Sequence, residues 1–354
     1  MIKLRKRLSC LQAYKEIEMV SLKDIAAACG VSIATVSKAL NNQSDISSAR
    51  RDEIRKKAEE MGYHPNLMAR ALKTKVTHDI GVLFSDDFRS GLTHPFFSQV
   101  LEGLKLGLEE KGYDLTFIDR GLGEKKPDYV NHCRYRNLDG VVIACVDFSQ
   151  PSVIDLVQSD IPLVTIDHVF DQCATISSNN SEGMRTLTEY IVGQGHRRIA
   201  YIHGKPSSVT NARLASFFRV MEENGIRVPD EYVREASYLD VEEVEKAARE
   251  LMSLKERPTC ILFPDDYSCI GGLNAARAAG LRVPEDISIA GYDGVPIVRI
   301  ISPKITTYEQ NMQEIGLAAA AKIIELIERP RTALRDNTVI KGKLFPGETV
   351  RKIQ

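Results

Sequence analysis

Twenty residues near the N-terminus, Leu22 to Asn41 (LKDIAAACGVSIATVSKALN), constrain the chain more than any other stretch. Leu22, Ile25, Ala26 and Cys29 recur at helical spacing and define one apolar face. Gly30 follows where a helix would stop, since glycine enters the left-handed region without a Cβ penalty. Ser32 suits the N-cap of a second helix that runs to about Leu40, with Val36, Ala39 and Leu40 turned inward. Two helices joined by a short Gly-containing turn make a helix-turn-helix, whose second helix lies in the major groove of DNA. An ordinary αα-hairpin shares this pattern, so the surrounding chain must decide between them.

Charge decides it. The net charge of −1 hides a split: residues 1–78 carry 15 Lys/Arg against 8 Asp/Glu, and the remainder 32 against 40. A basic head on an acidic body fits a head that meets phosphates and a body that does not. The seven cysteines show no CxxC pair and no metal-ligand spacing, and several, such as Cys145 in VVIACV, sit in apolar runs as expected of buried thiols. With no signal peptide and no run near the roughly 18 apolar residues of a membrane span, a reducing cytoplasm is expected.

The head continues through NQSDI into a third helix, capped by Ser47 or Ser48, with Ile54, Ala58 and Met61 inward and Gly62 ending it. Three short helices enclose a thin core. The stretch Tyr63 to Lys75 (YHPNLMARALKTK) holds about two helical turns, too few to persist without a partner, and reads as a hinge. The basic residues 1–18 are expected to be a disordered arm, or an upstream misread start, with Met19 opening the folded part.

From Asp79 apolar strands alternate with amphipathic helices. One series runs DIGVLF, DLTFID, DGVVIAC and IPLVTID; a second runs RIAYIHG, TCILFPD and DISIAGYD. Continuous apolar strands between helices imply parallel sheets covered on both faces, hence two doubly wound lobes. The helix at 312–328 follows the second series, so the chain crosses back to the first lobe. In such folds ligands bind beyond the carboxyl ends of the strands.

An ordered series of motifs carries a resemblance over nearly the whole chain: VSLKDIAAACGVSIATVSKALN, GYHPNLMARALK, NLDGVVIA, GHRRIAYIHG, Asp265-Asp266 before a helix, GLRVPEDISIAGYDG and ITTYEQNMQEIG. The chain resembles LacI/GalR-family transcription regulators. That resemblance implies an α-helical helix-turn-helix head plus an α/β two-lobed, periplasmic-binding-protein-like core of two doubly wound parallel sheets. The expected divisions are an extension at 1–18, a head at 19–63, a hinge at 64–78 and a core at 79–354. Within the core, lobe one would comprise about 79–180 and 309–336, and lobe two about 181–308 and 337–354.

The resemblance also implies site residues. On DNA it points to Ile33, Ala34 and Lys38 at base edges and to Ser32, Thr35, Ser37 and Asn41 at phosphates; Lys38 can donate to guanine, whereas Ile33 and Ala34 offer apolar contact only. It adds Asn66, Ala69, Leu72 and Lys73 from the hinge, with Leu72 wedged into a minor-groove step. For an effector it points to Phe96, Phe97, Arg213, Asp265 and Asp293, and also to Ser85, Leu239 and Gln310. An arginine and two carboxylates can grip hydroxyls, and an aromatic face can stack on a sugar or a base. Asp266 reads as a helix N-cap, and His196 and His203 as structural.

The partners implied are double-stranded, pseudo-palindromic operator DNA, a second copy of the chain, and a small effector, either a sugar or a sugar phosphate. A purine-like co-repressor is the alternative. No cofactor, metal or membrane is expected. A solute-binding protein would have an export signal and no helix-turn-helix. An enzyme is disfavoured because GxSxG, HExxH, GxxxxGK[ST] and GxGxxG are all missing from the sequence.

Overall fold

A computed structural model describes residues 20–40, 45–63, 76–85, 91–118 and 128–353. The chain forms two compact units, residues 1–77 and 78–354.

The first unit holds helices α1 (Leu22–Cys29), α2 (Ile33–Leu40) and α3 (Ser48–Glu60). A capping box opens α1: the Asp24 amide donates to Ser21 Oγ at 3.4 Å, and the Ser21 amide donates to Asp24 Oδ2 at 2.8 Å. Gly30, at φ 62°, ends it in the left-handed region. Ser32 Oγ accepts from the Thr35 amide at 3.1 Å and so caps α2. At α3 the cap position falls to Ser47, whose side chain makes no capping bond. Ile25, Val36, Ala39 and Ile54 are wholly buried and meet at the centre of the bundle. Arg50 also donates to the Cys29 carbonyl at 3.0 Å, satisfying a peptide oxygen that the end of α1 leaves open. The hinge residues Asn66, Ala69, Leu72 and Lys73, together with Asn41 and the arm at 1–18, lie outside the described residues.

The second unit carries two six-stranded sheets. The first contains β1 (Asp79–Phe84), β2 (Asp114–Phe117), β3 (Gly140–Ala144), β4 (Leu163–Ile166), β5 (Ala174–Ser178) and β11 (Asn337–Ile340), in the order β11-β5-β4-β3-β1-β2 and parallel throughout. Helices α4 (Phe97–Glu110) and α12 (Met312–Glu328) share one apolar cluster on this sheet, and α5 (Tyr129–Arg136) and α6 (Pro151–Val157) share another. The crossing of α4 and α12 is close. A Cβ on Gly316 would lie 2.0 Å from the Val100 carbonyl oxygen, and one on Gly103 would lie 2.2 Å from that of Gln313.

The second sheet contains β6 (Ile199–His203), β7 (Val233–Glu235), β8 (Cys260–Leu262), β9 (Ser288–Asp293), β10 (Thr306–Glu309) and β12 (Lys343–Phe345), ordered β12-β10-β9-β8-β6-β7 with only β12 antiparallel. Helices α7 (Asn180–Gly193) and α8 (Ser208–Glu223) pack with one cluster, and α9 (Val241–Met252) and α10 (Ser268–Ala278) with the other. A short helix α11 (Ile297–Ile300) follows β9.

The chain crosses between the lobes three times: after β5, between β10 and α12, and between β11 and β12. One expected boundary is corrected here. Residues 337–340 pair with β5, so they complete lobe one, and lobe two resumes only after Ile340. Their alternation of exposed and half-buried positions, on an edge strand, lacks the continuous apolar run that marks the central strands. Cys145 is corrected as well: it lies half-buried just past β3, at φ 52°. Among the described residues, no helix is long and apolar enough to cross a membrane.

Candidate functional site

The carboxyl ends of the strands in the two lobes carry a distinctive backbone feature. Of six non-glycine residues with positive φ among the described residues, three lie at or just past strand ends, Cys145 (52°), Asp167 (57°) and Asp293 (105°), and a fourth, Leu239 (62°), lies in the loop that follows β7. Side chains pay strain to occupy this region, and such residues gather where function requires it.

Arg213, on α8, is 4% exposed and forms the hub. Its Nε donates to Asn180 Oδ1 at 2.8 Å and one terminal nitrogen donates to the Pro264 carbonyl at 3.2 Å. The other lies 3.7 Å from Asp293 Oδ1, and the guanidinium sits 3.7 Å over the Tyr292 ring. The same Asp293 oxygen accepts from Gln310 Nε2 at 2.7 Å. Asp265 accepts from the Ser268 amide (2.9 Å), the Ser268 hydroxyl (2.7 Å) and the Leu239 amide (3.0 Å). Arg213, Asp293 and Gln310 thus form one bonded network. Asp265 and Leu239 form a second, which adjoins the first at Pro264.

Asp167, across from this group at the end of β4, accepts from the Ser178 amide at 2.7 Å, and its carbonyl accepts from Ser208 Oγ of lobe two at 3.1 Å. Burial pushes the Asp167 carboxyl up to about 6, against the opposing pull of the Ser178 amide and Arg213. Burial likewise pushes Asp293 up to about 7, with Arg213 opposing and Asp265 adding to the rise.

Phe96 is buried and Phe97 half-buried, with ring centroids 4.9 Å apart. Phe97 also meets Phe84 at 5.4 Å and His94 at 4.9 Å, so these residues form an aromatic group at the start of α4. Ser85 is exposed just past β1. No described contact ties Ser85 or the aromatic group to the arginine network.

Asp266 does not cap α10; Asp265 takes that role through Ser268. Instead Asp266 is fully buried, and its Oδ2 accepts from the amides of Gly294 (2.6 Å) and Val295 (2.9 Å). Burial, then the neighbouring Asp293 carboxylate, holds Asp266 well above the usual carboxylate range. His196 is buried, with its ring nitrogens 2.9 Å from Thr259 Oγ1 and 3.0 Å from the Arg351 carbonyl, a structural arrangement. His203 Nδ1 lies 2.8 Å from the Gly204 carbonyl.

Asp167, Asn180 and Tyr292 were missed from sequence. Asp167 ends IPLVTID as Asp293 ends DISIAGYD, so the rule that strand ends line the cleft could have found it. Asn180 and Tyr292 carry no local signal.

In the head, Ile33 is 48% exposed and Ala34 is exposed, so the first turn of α2 faces solvent rather than the bundle core. Thr35 and Ser37 are half-buried, and Ser32 Oγ lies 2.8 Å from Thr35 Oγ1. Lys38 is exposed and paired with the Asp45 carboxylate, whose ionised form that bond favours.

A profile for bacterial regulatory proteins of the lacI family matches residues 21–66, and one for a periplasmic binding protein-like domain matches residues 188–350. The HTH-type transcriptional repressor PurR of Vibrio vulnificus (strain CMCP6) is 30% identical over 343 residues, covering 95% of this chain and all of the relative. The probable HTH-type transcriptional repressor ExuR of Bacillus subtilis (strain 168) is 32% identical over 319 residues, covering 89% and 93%. Among solved structures, a lac repressor dimer bound to operator and the anti-inducer ONPF aligns with TM-score 0.79 at 24% identity, over 94% of this chain and all of that one. A transcriptional regulator CelR–cellobiose complex aligns at 0.68 and 23%, over 93% and 99%. The chain belongs to the LacI family of bacterial regulatory proteins, DNA-binding transcriptional repressors with a helix-turn-helix head and a two-lobed α/β core.

Proposed function

We propose that this chain, as a dimer, represses a carbohydrate-utilisation operon, with operator affinity set by a neutral, hydroxyl-rich molecule held between its lobes. The single observation that carries the ligand reading is the state of Arg213. Its guanidinium is already engaged by Asn180, Pro264, Asp293 and the Tyr292 face, and three carboxylates, Asp167, Asp265 and Asp293, surround the same region. Carboxylates accept hydrogen bonds from hydroxyls but repel phosphates and uronates, which favours a sugar over a sugar phosphate. A purine-like ligand is the second reading, favoured by the aromatic group of Phe84, His94 and Phe97, on which a base would stack.

In the head, Ile33, Ala34 and Lys38 would meet base edges, while Ser32, Thr35, Ser37 and Asn41 fix register on phosphates. Asn66, Ala69, Leu72 and Lys73 would act from the hinge. Ser85, Phe96, Phe97, Leu239, Asp265 and Gln310 would surround the effector with Arg213 and Asp293. The test combines thermal-shift measurements on a panel of neutral sugars, hexose phosphates, uronates and purine bases with retention of sheared genomic DNA. A neutral sugar that raises the melting temperature of the core and alters retention of discrete fragments supports the reading. Stabilisation by phosphates alone, or by purines alone, would replace it.

The Asp45 carboxylate neutralises Lys38 and engages one of its three donors, so it weakens the pull of Lys38 on DNA. Asp45→Asn is therefore expected to tighten binding to mixed-sequence duplex DNA about two- to fivefold at low salt, with a steeper salt dependence. Fluorescence anisotropy across a salt series reads this directly.

The cleft carboxyls also predict a pH dependence. Asp167 and Asp293 hold protons more tightly folded than unfolded, so the native core binds more protons between about pH 4 and pH 7. Their contribution to stability is therefore greatest below about pH 4, falls progressively as pH rises, and is lost above about 6 for Asp167 and about 7 for Asp293. His168 and His196, held below their usual range by burial, act in the opposite sense. The difference in melting temperature between wild type and Asp293→Asn across pH 5–8 isolates Asp293. The variant should lose part of the wild-type decline, and parallel curves would refute the assignment.

A further inference from the structure

The segment that follows β9 belongs to lobe two by topology, and Val298 is buried there, but its first turn reaches into lobe one. Val295, 2% exposed, sits in the apolar cluster of lobe one with Phe96, Val100, Met312 and Ile315, and Ile297 packs against the clusters of both lobes. The same segment begins at Asp293, whose carboxylate meets Arg213 and Gln310. Two consecutive residues with positive φ, Asp293 at 105° and Gly294 at 76°, turn the chain between these contacts. That turn points the amides of Gly294 and Val295 the same way, and both donate to a single oxygen, Oδ2 of Asp266.

Asp266 is not exposed at all, and its other oxygen lies over Gly291, where a Cβ would come within 2.4 Å. Gly291 thus leaves room for the carboxylate. A residue at 294 other than glycine would meet both the left-handed φ and the Glu309 backbone, 2.6 Å from its Cβ. Nothing else described accepts from these two amides.

We propose that Asp266 is a positioning residue: by clamping the Gly294 and Val295 amides it fixes, in one turn, the carboxylate of Asp293 at the cleft and the Val295 side chain in lobe one. Ligand held at Asp293 and the apolar contact between the lobes are then two ends of one rigid segment. This rests on the cleft being the effector site. The measurement below uses ligand-free protein, so it succeeds or fails independently of that reading.

The experiment is amide hydrogen exchange on the full chain, comparing wild type, Asp266→Ala and Asp266→Asn. In Asp266→Ala the Gly294 and Val295 amides lose their acceptor and should exchange at least about tenfold faster, a net loss of ordinary hydrogen-bond size. The amides of Gln99 and Val100, which donate to the Phe96 carbonyl at 3.2 and 3.4 Å, should also speed up as Val295 loosens from its cluster. Asp266→Asn retains a carbonyl oxygen and should recover most of the protection at both places. Unchanged exchange at 294 and 295 in Asp266→Ala overturns the clamp. Faster exchange there with Gln99 and Val100 unchanged overturns the link to lobe one. Acceleration spread evenly over β6, β8 and β9, without recovery in Asp266→Asn, reduces Asp266 to general stability and overturns the proposal.

Discussion

Replacing Arg213 with alanine is expected to destabilise the core by about 3–5 kcal/mol and to abolish its response to the effector. The side chain is almost wholly buried, so the loss is not shared with solvent. Asp293 would lose its cationic neighbour at 3.7 Å, while Asn180 Oδ1 and the Pro264 carbonyl would each lose a donor. Removing one partner of a buried pair leaves the other uncompensated, and this exceeds what the pair itself contributes. Arg213→Lys is expected to recover little, because an ammonium cannot present a planar fork to three acceptors and a ring face at once. Denaturant unfolding of the core reads the first effect, and thermal shift with a ligand that stabilises wild type reads the second. A midpoint unmoved by Arg213→Ala would remove the arginine from the centre of the site.

The second large effect is expected in the head. Ile54→Ala deletes a wholly buried side chain that faces Ile25, Val36 and Ala39 across the bundle. Large-to-small changes of this kind cost about 2–5 kcal/mol, with the upper end where the surroundings cannot collapse. A three-helix core this small has little stability to spare. The expected result is a head unfolded at 37 °C on an intact core, since residues 1–77 and 78–354 are separate units. Proteolysis should cut within α1–α3 while the melting temperature of the core and its ligand shift stay as in wild type. DNA retention should fall to background. Coupled loss of core stability would show that the two units fold together.

Much of the fold was legible because its signals are local. DIGVLF and the helix at 312–328 have the bounds that periodicity sets, and Gly30 and Ser32 stop and start helices as their chemistry requires. Several elements without such signals were missed, among them Ala174–Ser178, which mixes Ser and Thr into a strand, the short edge strands Val233–Glu235, Asn337–Ile340 and Lys343–Phe345, and the helices Tyr129–Arg136 and Ile297–Ile300. The pairing of these strands depends on long-range register, which no window of sequence contains. The site divides the same way. Arg213, Asp265 and Asp293 are legible through the family resemblance; Asp265 and Asp293 also stand at or just past strand ends, whereas Arg213 lies inside α8. The role of Asp266, and the partnership of Arg213 with Asn180, appear only once residues 28 and 33 positions apart have been brought together.

The three passages between the lobes bear on how the protein is made. Translation completes the head by Tyr63, but lobe one lacks its last strand until Ile340 emerges, and β12 of lobe two comes later still. For nearly the whole of synthesis the ribosome therefore carries a potential DNA grip with no finished sensor to govern it. A message truncated ahead of codon 337 would deprive both lobes of an edge strand while leaving the head complete.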